Sequence, residues 1–215
     1  MSCLTRRAPY GLKSRTATPL ALRYLHAGLC CNWATCLKCT MTQHTINTER
    51  LLLRGWKPSD HAPFAAMCGD PDVMRYIGNG KTRTADDAAR YIASFEKEWR
   101  ERGFGLFAVE SRKTGELIGF TGLSWPDFLP EVFPSVEIGW RFSKLSWGKG
   151  YASEAAVAAL SFGVNELGIT DIVSIYQIEN SPSARIMRKL GMIFDRRTID
   201  PTCEREVEVY RLPRQ

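Results

Sequence analysis

Apolar positions along the chain switch between two periods, and the switches mark out its elements. ERLLLRGW, residues 49–56, is a short apolar run between charged flanks and predicts a strand. Lys57-Pro58-Ser59-Asp60 then carries turn and cap residues and predicts a helix through Met67 that ends near Gly69. Asp70-Pro71 repeats the cap-then-proline signal for a short helix through Tyr76, broken by Gly78-Asn79-Gly80. Thr84, with Asp87 placed to complete a capping box, opens a longer helix. Ala88, Tyr91, Ile92, Phe95 and Trp99 fall on one face of it, and Gly103 stands past its end.

GLFAVES (105–111) and ELIGFTGLSW (116–125) flank the turn RKTG and predict an antiparallel hairpin. After a loop carrying Pro126, Pro130 and Pro134, SVEIGWRF (135–142) predicts a further strand of the same sheet, the fourth in chain order. A helix is expected from about Gly150 through Leu167, stopped by Gly168. TDIVSIYQI (170–178) is an apolar, β-branched strand of the buried type. Asn180-Ser181-Pro182-Ser183 begins another helix with Gly191 at its end, and MIFDRRTI and EREVEVYRL read as a closing pair of strands. The order implies an α+β domain around a central mixed sheet.

Composition is adequate for a core, with 44% hydrophobic residues over 215 positions. The formal charge of +6 dissolves once it is located. Residues 1–40 hold Arg6, Arg7, Lys13, Arg15, Arg23 and Lys38 and no acid, which is the whole excess; residues 41–215 are formally neutral. The body of the chain therefore has no basic balance that would mark a nucleic-acid face. Cysteine is skewed the same way: Cys3, Cys30, Cys31, Cys36 and Cys39 precede residue 41, and Cys68 and Cys203 alone follow it. The body looks like a reduced, cytoplasmic chain. Cys36 and Cys39 form a lone CxxC without a fourth ligand at zinc-site spacing, so no metal is expected.

The abrupt change at Met41 divides the chain into an extension, 1–40, expected to be unstructured, and a domain, 41–215. A targeting segment and an upstream read-through of a start at Met41 both fit the extension. The second is preferred, because Leu29 to Thr40 is cysteine-rich and lacks a basic amphipathic repeat. No apolar run approaches the roughly 20 residues of a spanning helix, so no membrane partner is expected.

The chemistry concentrates in WGKGYASEA, 147–155, a glycine turn that runs straight into a helix. Glycine admits a bulky anion close to the backbone, and the first amides of a helix have no partner inside it. The turn matches neither nucleotide fingerprint: Gly148-Lys149 is followed by Gly150 rather than Ser or Thr, and Ser153 stands where a dinucleotide turn needs a third glycine. What remains is a short phosphate turn, followed by an Asn-led helix with a basic C-terminal half.

Together, TERLLLRGW, VEIGWRF, WGKGYASEA and NSPSARIMRKLGM, in that order over 47–212, resemble the GNAT superfamily of N-acetyltransferases. Within it the chain is similar to the ribosomal-protein N-terminal acetyltransferases. The resemblance implies a mostly antiparallel sheet flanked by helices and splayed between the fourth and fifth strands around Gly139, Trp140 and Arg141, whose strand backbone would bind the pantetheine arm of the cofactor like an added strand. It implies acetyl-CoA as donor, its pyrophosphate facing the amides of Gly148, Lys149, Gly150, Tyr151 and Ala152, and its arm near Asn180. A strand amide near Trp140 would polarise the thioester carbonyl.

Acetyl transfer needs a neutral amine and hence a base. Glu137 is the candidate, against the alternative of an outward or ion-paired strand carboxylate; Asp127, on the acceptor-side loop ahead of that strand, is a further acid. Many relatives place a tyrosine where this chain has Met187, so Ser183 is the candidate proton donor to the departing thiolate, with a local capping role as its alternative. Leu145 stands where many relatives have Gln or Arg. Trp125 and Phe128 are expected to line the acceptor tunnel, while Phe133 and Trp140 gather near the same loop. The expected activity is direct transfer in a ternary complex to a protein N-terminus or a small-molecule amine. No cysteine nucleophile is expected, since Cys68 and Cys203 lie outside the motifs. The rival is a non-catalytic acyl-CoA sensor with the same fold. The sequence leaves monomer and homodimer open.

Overall fold

The computed structural model describes residues 44–214, so the expectations for the extension and its CxxC lie outside the described residues. Eight strands form one sheet: β1 Ile46–Asn47, β2 Leu51–Arg54, β3 Leu106–Ser111, β4 Leu117–Ser124, β5 Val136–Phe142, β6 Ile172–Gln177, β7 Ile193–Asp200 and β8 Arg205–Arg211. The helices are α1 His61–Gly69, α2 Pro71–Met74, α3 Ala85–Arg102, α4 Tyr151–Ser161 and α5 Ser181–Lys189. The strand order is β1-β2-β3-β4-β5-β6-β8-β7, and every neighbouring pair is antiparallel except β5 and β6.

Each predicted strand is present, and the two-residue β1 adds one more at the edge, so the expected fourth and fifth strands are β5 and β6. The helix predicted from Gly150 runs as α4 to Ser161 and continues as a π-helical turn, Phe162–Glu166. The Thr84 capping box is formed: the hydroxyl accepts from the Asp87 amide at 3.1 Å, and Asp87 Oδ2 accepts from the Thr84 amide at 3.0 Å. Asp60 does the expected capping one turn early: its Oδ2 accepts from the Lys57 amide at 2.8 Å in the 3-10 turn that leads into α1. The same carboxylate forms a bidentate buried pair with Arg54 at 2.7 and 2.9 Å, the counter-charge that a guanidinium inside the sheet requires.

Strand alternation divides the core between the two faces of the sheet. On one face Phe107, Val109, Val136, Ile138 and Phe142 pack with Ala155, Ala156 and Ala159 of α4 and with Met187 of α5. On the other, Leu106, Ala108 and Phe120 meet Phe64 of α1 and Ala88 and Ile92 of α3. The alanines of α4 let that helix settle closely over β4 and β5.

The parallel pair is short. β5 and β6 register only at Val136↔Ile172 and Glu137↔Val173, and beyond them the strands part. Where the β6 backbone has moved away, the Ser174 hydroxyl donates to the Ile138 carbonyl at 2.8 Å. The expected splay is therefore present.

Candidate active site

A cavity of about 660 Å³ opens along this splay and is lined from both faces of the sheet. Glu137, Gly139 and Arg141 share one face of β5, and Trp140 belongs to the other. Asn180, Ser183 and Met187 enter from α5, Glu98 from α3, and Trp125, Asp127 and Phe128 from the loop after β4.

Backbone direction follows from the hydrogen bonds at the two ends of β5. The Val136 amide donates towards β6, to the Asp171 carbonyl, whereas the Ser143 amide donates towards β4, to the Ile118 carbonyl. Alternation then turns the N–H and C=O of Trp140 to the opening and those of Gly139 and Arg141 to β4. The Gly139 carbonyl accepts from the Thr121 hydroxyl at 2.9 Å, in keeping with this. A methyl group placed on Gly139 would meet nothing within 4 Å, so the strand leaves open space there.

Glu137 is half-buried on the cavity wall and forms no ion pair among the described residues. Burial drives its carboxyl up to about 8, and the charge of Glu98 pushes the same way. Glu98, which the sequence reading did not select, accepts from the Trp125 amide at 3.1 Å and lies 3.6 Å from Arg102. Its own carboxyl is raised by burial, with the Trp125 amide and Arg102 opposing and Asp127 adding to the rise. Its signal in the sequence was weak: an acid on the flank of the apolar stripe, between Phe95 and Trp99.

Asn180 occupies the N-cap position of α5, yet its side chain accepts no cap hydrogen bond. The expected capping chemistry is carried instead by its carbonyl, which accepts from the Ser183 amide at 3.0 Å. The Asn180 amide group and the Ser183 hydroxyl are thus both left to the cavity. Met187 is buried beneath them. Trp125 packs against Phe133 in a tilted pair, 4.8 Å between centroids, and receives the Arg102 guanidinium at 5.0 Å. Phe133 itself is exposed, so of the aromatic group Trp125, Phe128 and Trp140 reach the cavity wall and Phe133 does not.

Cys68 corrects an expectation. The chain separates it from the motifs, but the fold puts it against Arg141, whose Nη1 donates to Cys68 Sγ at 3.7 Å. Burial raises its thiol above the ordinary range despite the neighbouring guanidinium, which works against the thiolate a nucleophile needs.

Gly148, Lys149, Gly150, Tyr151 and Ala152 lie apart from the cavity wall, past the C-terminal end of β5. Gly148 and Gly150 adopt φ of +74° and +81°, conformations that L side chains resist, and α4 starts at Tyr151 directly after them. Arg50 fixes this turn. Its Nη1 donates to the Lys149 carbonyl at 2.8 Å, its Nε donates to Glu154 at 2.7 Å, and its guanidinium lies 4.8 Å from the Tyr151 ring centroid. Leu145 is 86% exposed and supplies no polar contact to the turn.

The fold sets a splayed parallel pair beside a glycine turn that opens a helix, and comparison with known proteins shows its family. The family model described as Acetyltransferase (GNAT) domain matches residues 50–193. The chain belongs to the GNAT acetyltransferase family. It is 35% identical over 147 residues to the uncharacterized N-acetyltransferase YnaD of Bacillus subtilis, covering 68% of this chain and 81% of the relative. A GNAT-family acetyltransferase structure from Bacillus anthracis is 28% identical with a TM-score of 0.65, over 79% of this chain and 98% of that one. A ribosomal L7/L12 alpha-N-protein acetyltransferase solved in complex with coenzyme A has a TM-score of 0.64 over 79% of this chain and 97% of that one; at 12% identity it shares the fold.

Proposed function

We propose that the protein is an acetyl-CoA-dependent N-acetyltransferase that acts by direct transfer within a ternary complex. The observation that carries this is Glu137, an unpaired carboxyl raised to about 8, on the wall of a cavity that opens where β5 leaves β6. A carboxylate of that basicity is matched to taking a proton from an ammonium near neutral pH. The residues present also fit the donor. The first amides of α4, held in place by Arg50, suit a pyrophosphate; open space beside Gly139 and the uncommitted Asn180 side chain suit an extended amide-bearing arm.

In this proposal the amine nitrogen bonds to the acyl carbon as the carbon–sulfur bond breaks, and the thiolate departs with the electron pair. Glu137 takes the ammonium proton before attack. The Trp140 amide, turned to the opening, donates to the oxygen that gains charge. Ser183 relays to the leaving sulfur the second proton, which the nitrogen sheds as it becomes an amide, and Trp125 and Phe128 shape the acceptor side. Cys68 takes no part in this reading, since its thiol is buried and burial disfavours its thiolate.

Calorimetric titration of acetyl-CoA into the full chain, with ATP as control, tests the donor; thiol release with a broad amine panel tests the transfer. Micromolar binding of acetyl-CoA alone, about 8 kcal/mol, with thiol released by at least one amine, is the expected outcome. Binding without turnover of any amine would replace this reading with that of an acyl-CoA sensor.

A further inference from the structure

Arg141 is an unfinished guanidinium. It lies on the same face of β5 as Glu137, the two separated by Gly139, which contributes no side chain. Four residues of strand put their Cα atoms about 13 Å apart, so their side chains bracket the acceptor side of the cavity. They do not pair with each other, and Arg141 meets no carboxylate at ion-pair distance among the described residues. Its contacts are the Cys68 sulfur at 3.7 Å and the Phe120 ring, 5.2 Å from the centroid, neither of which supplies a counter-charge. Its Nε is fully buried and has no hydrogen-bond partner. Nη2 has none either, so the side-on Nε/Nη2 edge is unused.

The surroundings sharpen this. Arg83, also on the cavity wall, spends its guanidinium on the Tyr91 hydroxyl, the Lys81 carbonyl and Asn79, and its charge repels that of Arg141. Asp87, the acid in the vicinity of Cys68, is already committed to Thr84 and Arg90. The cavity wall therefore carries Arg83 and Arg141 along with the acids Glu137, Glu98 and Asp127, and among the described residues no acid pairs with Arg141. A buried guanidinium with an unsatisfied donor is unfavourable by itself and is completed by a carboxylate, whose two oxygens match the side-on fork.

We propose that the acceptor is an amino carboxylate, its amine directed to Glu137 and its own carboxylate bound by the side-on edge of Arg141. This deepens the N-acetyltransferase reading and rests on it. It distinguishes the acceptor from polyamines and from neutral amino sugars, which offer Arg141 nothing.

The test is acetylation by the full-length protein of the proteinogenic amino acids and the straight-chain ω-amino acids, each beside its carboxamide, with acetyl-CoA affinity measured separately. The expected result is an acid preferred over its amide by about tenfold or more in kcat/KM, in keeping with one charge-assisted bidentate contact. Arg141→Met is expected to abolish that preference through KM while leaving acetyl-CoA affinity unchanged, and Arg141→Lys to restore part of it. Equal rates for acid and amide in the wild-type protein would overturn the proposal without recourse to any variant. So would acetylation confined to amines that carry no anion, or no acetylation of any panel member by protein that binds acetyl-CoA. Failure to bind acetyl-CoA at all would remove the acetyltransferase reading itself, and this inference with it.

Discussion

Arg50, ahead of the first long strand, donates through Nε to Glu154 in the first turn of α4 at 2.7 Å, across 104 positions of chain. Glu154 also accepts from the Arg50 amide at 2.9 Å and from the Thr48 hydroxyl at 2.5 Å. These bonds hold the start of α4 against the sheet, and the further bond from Arg50 to the Lys149 carbonyl sets the orientation of the glycine turn. Arg50→Ala is expected to weaken acetyl-CoA binding by about tenfold, ~1.4 kcal/mol. The Arg50 side chain is 43% exposed, so its loss should change global stability by less than about 1 kcal/mol. Calorimetry and a thermal melt on the same sample separate the two effects; equal affinity in the variant would remove Arg50 from the donor site.

Glu137→Gln is expected to lower kcat by about 100-fold or more while acetyl-CoA affinity is retained, as for loss of a general base. In the wild-type protein kcat/KM for the acceptor should rise with pH along a limb near 8, as Glu137 gives up its proton, and this limb should vanish in the variant. A second consequence concerns stability. The folded carboxyl holds its proton from the ordinary 4.5 up to about 8, where the unfolded chain has already lost it. The native state therefore binds more protons in that window, and stability falls as pH rises through it, by at most ~1.4 kcal/mol per pH unit. Denaturant midpoints between these pH values should decline in the wild-type protein and decline less in Glu137→Gln.

Trp125 links the acceptor side of the cavity to α3 through its amide bond to Glu98 and its contact with Arg102. Trp125→Ala keeps the amide bond and removes the ring. Acceptor KM should rise several-fold with acetyl-CoA affinity unaltered, and Phe128→Ala should act in the same direction. An unchanged acceptor KM in a folded variant would show that neither ring shapes the tunnel.

Thr84 provides a stability control that makes no contact with the glycine turn before α4. Thr84→Ala removes the hydroxyl half of the α3 capping box and should cost about 1 kcal/mol. For a chain of this size that is a fall in Tm of about 2–4 °C. Acetyl-CoA affinity should be untouched, and a drop equal to that of Arg50→Ala would mean that α3 and the glycine turn before α4 are coupled.

Local chemistry determined much of this protein. The capping box at Thr84, Gly103 at the end of α3 and the alternating run of β8 act over a few residues, and each was legible without the fold. The glycine turn before α4 was legible for the same reason, because positive φ and unpartnered amides are properties of the turn itself. The sequence also placed Glu137, Gly139 and Arg141 on one face of a strand by alternation alone. It could not say which face. That was decided by the packing of Val136, Ile138 and Phe142 under α4, which leaves the other set to the cavity.

Contacts between distant segments depended on the tertiary structure. Glu98 became a neighbour of Glu137 because α3 crosses the sheet on that side, Cys68 came to lie under Arg141, and β8 inserted between β6 and β7. The raised carboxyl of Glu137 and the unsatisfied edge of Arg141 are products of burial, which no window of neighbouring residues encodes. Sequence established the elements and the anion-ready turn; tertiary packing established which charges face one another across the cavity, since desolvation and long-range proximity exist only once the chain has closed on itself.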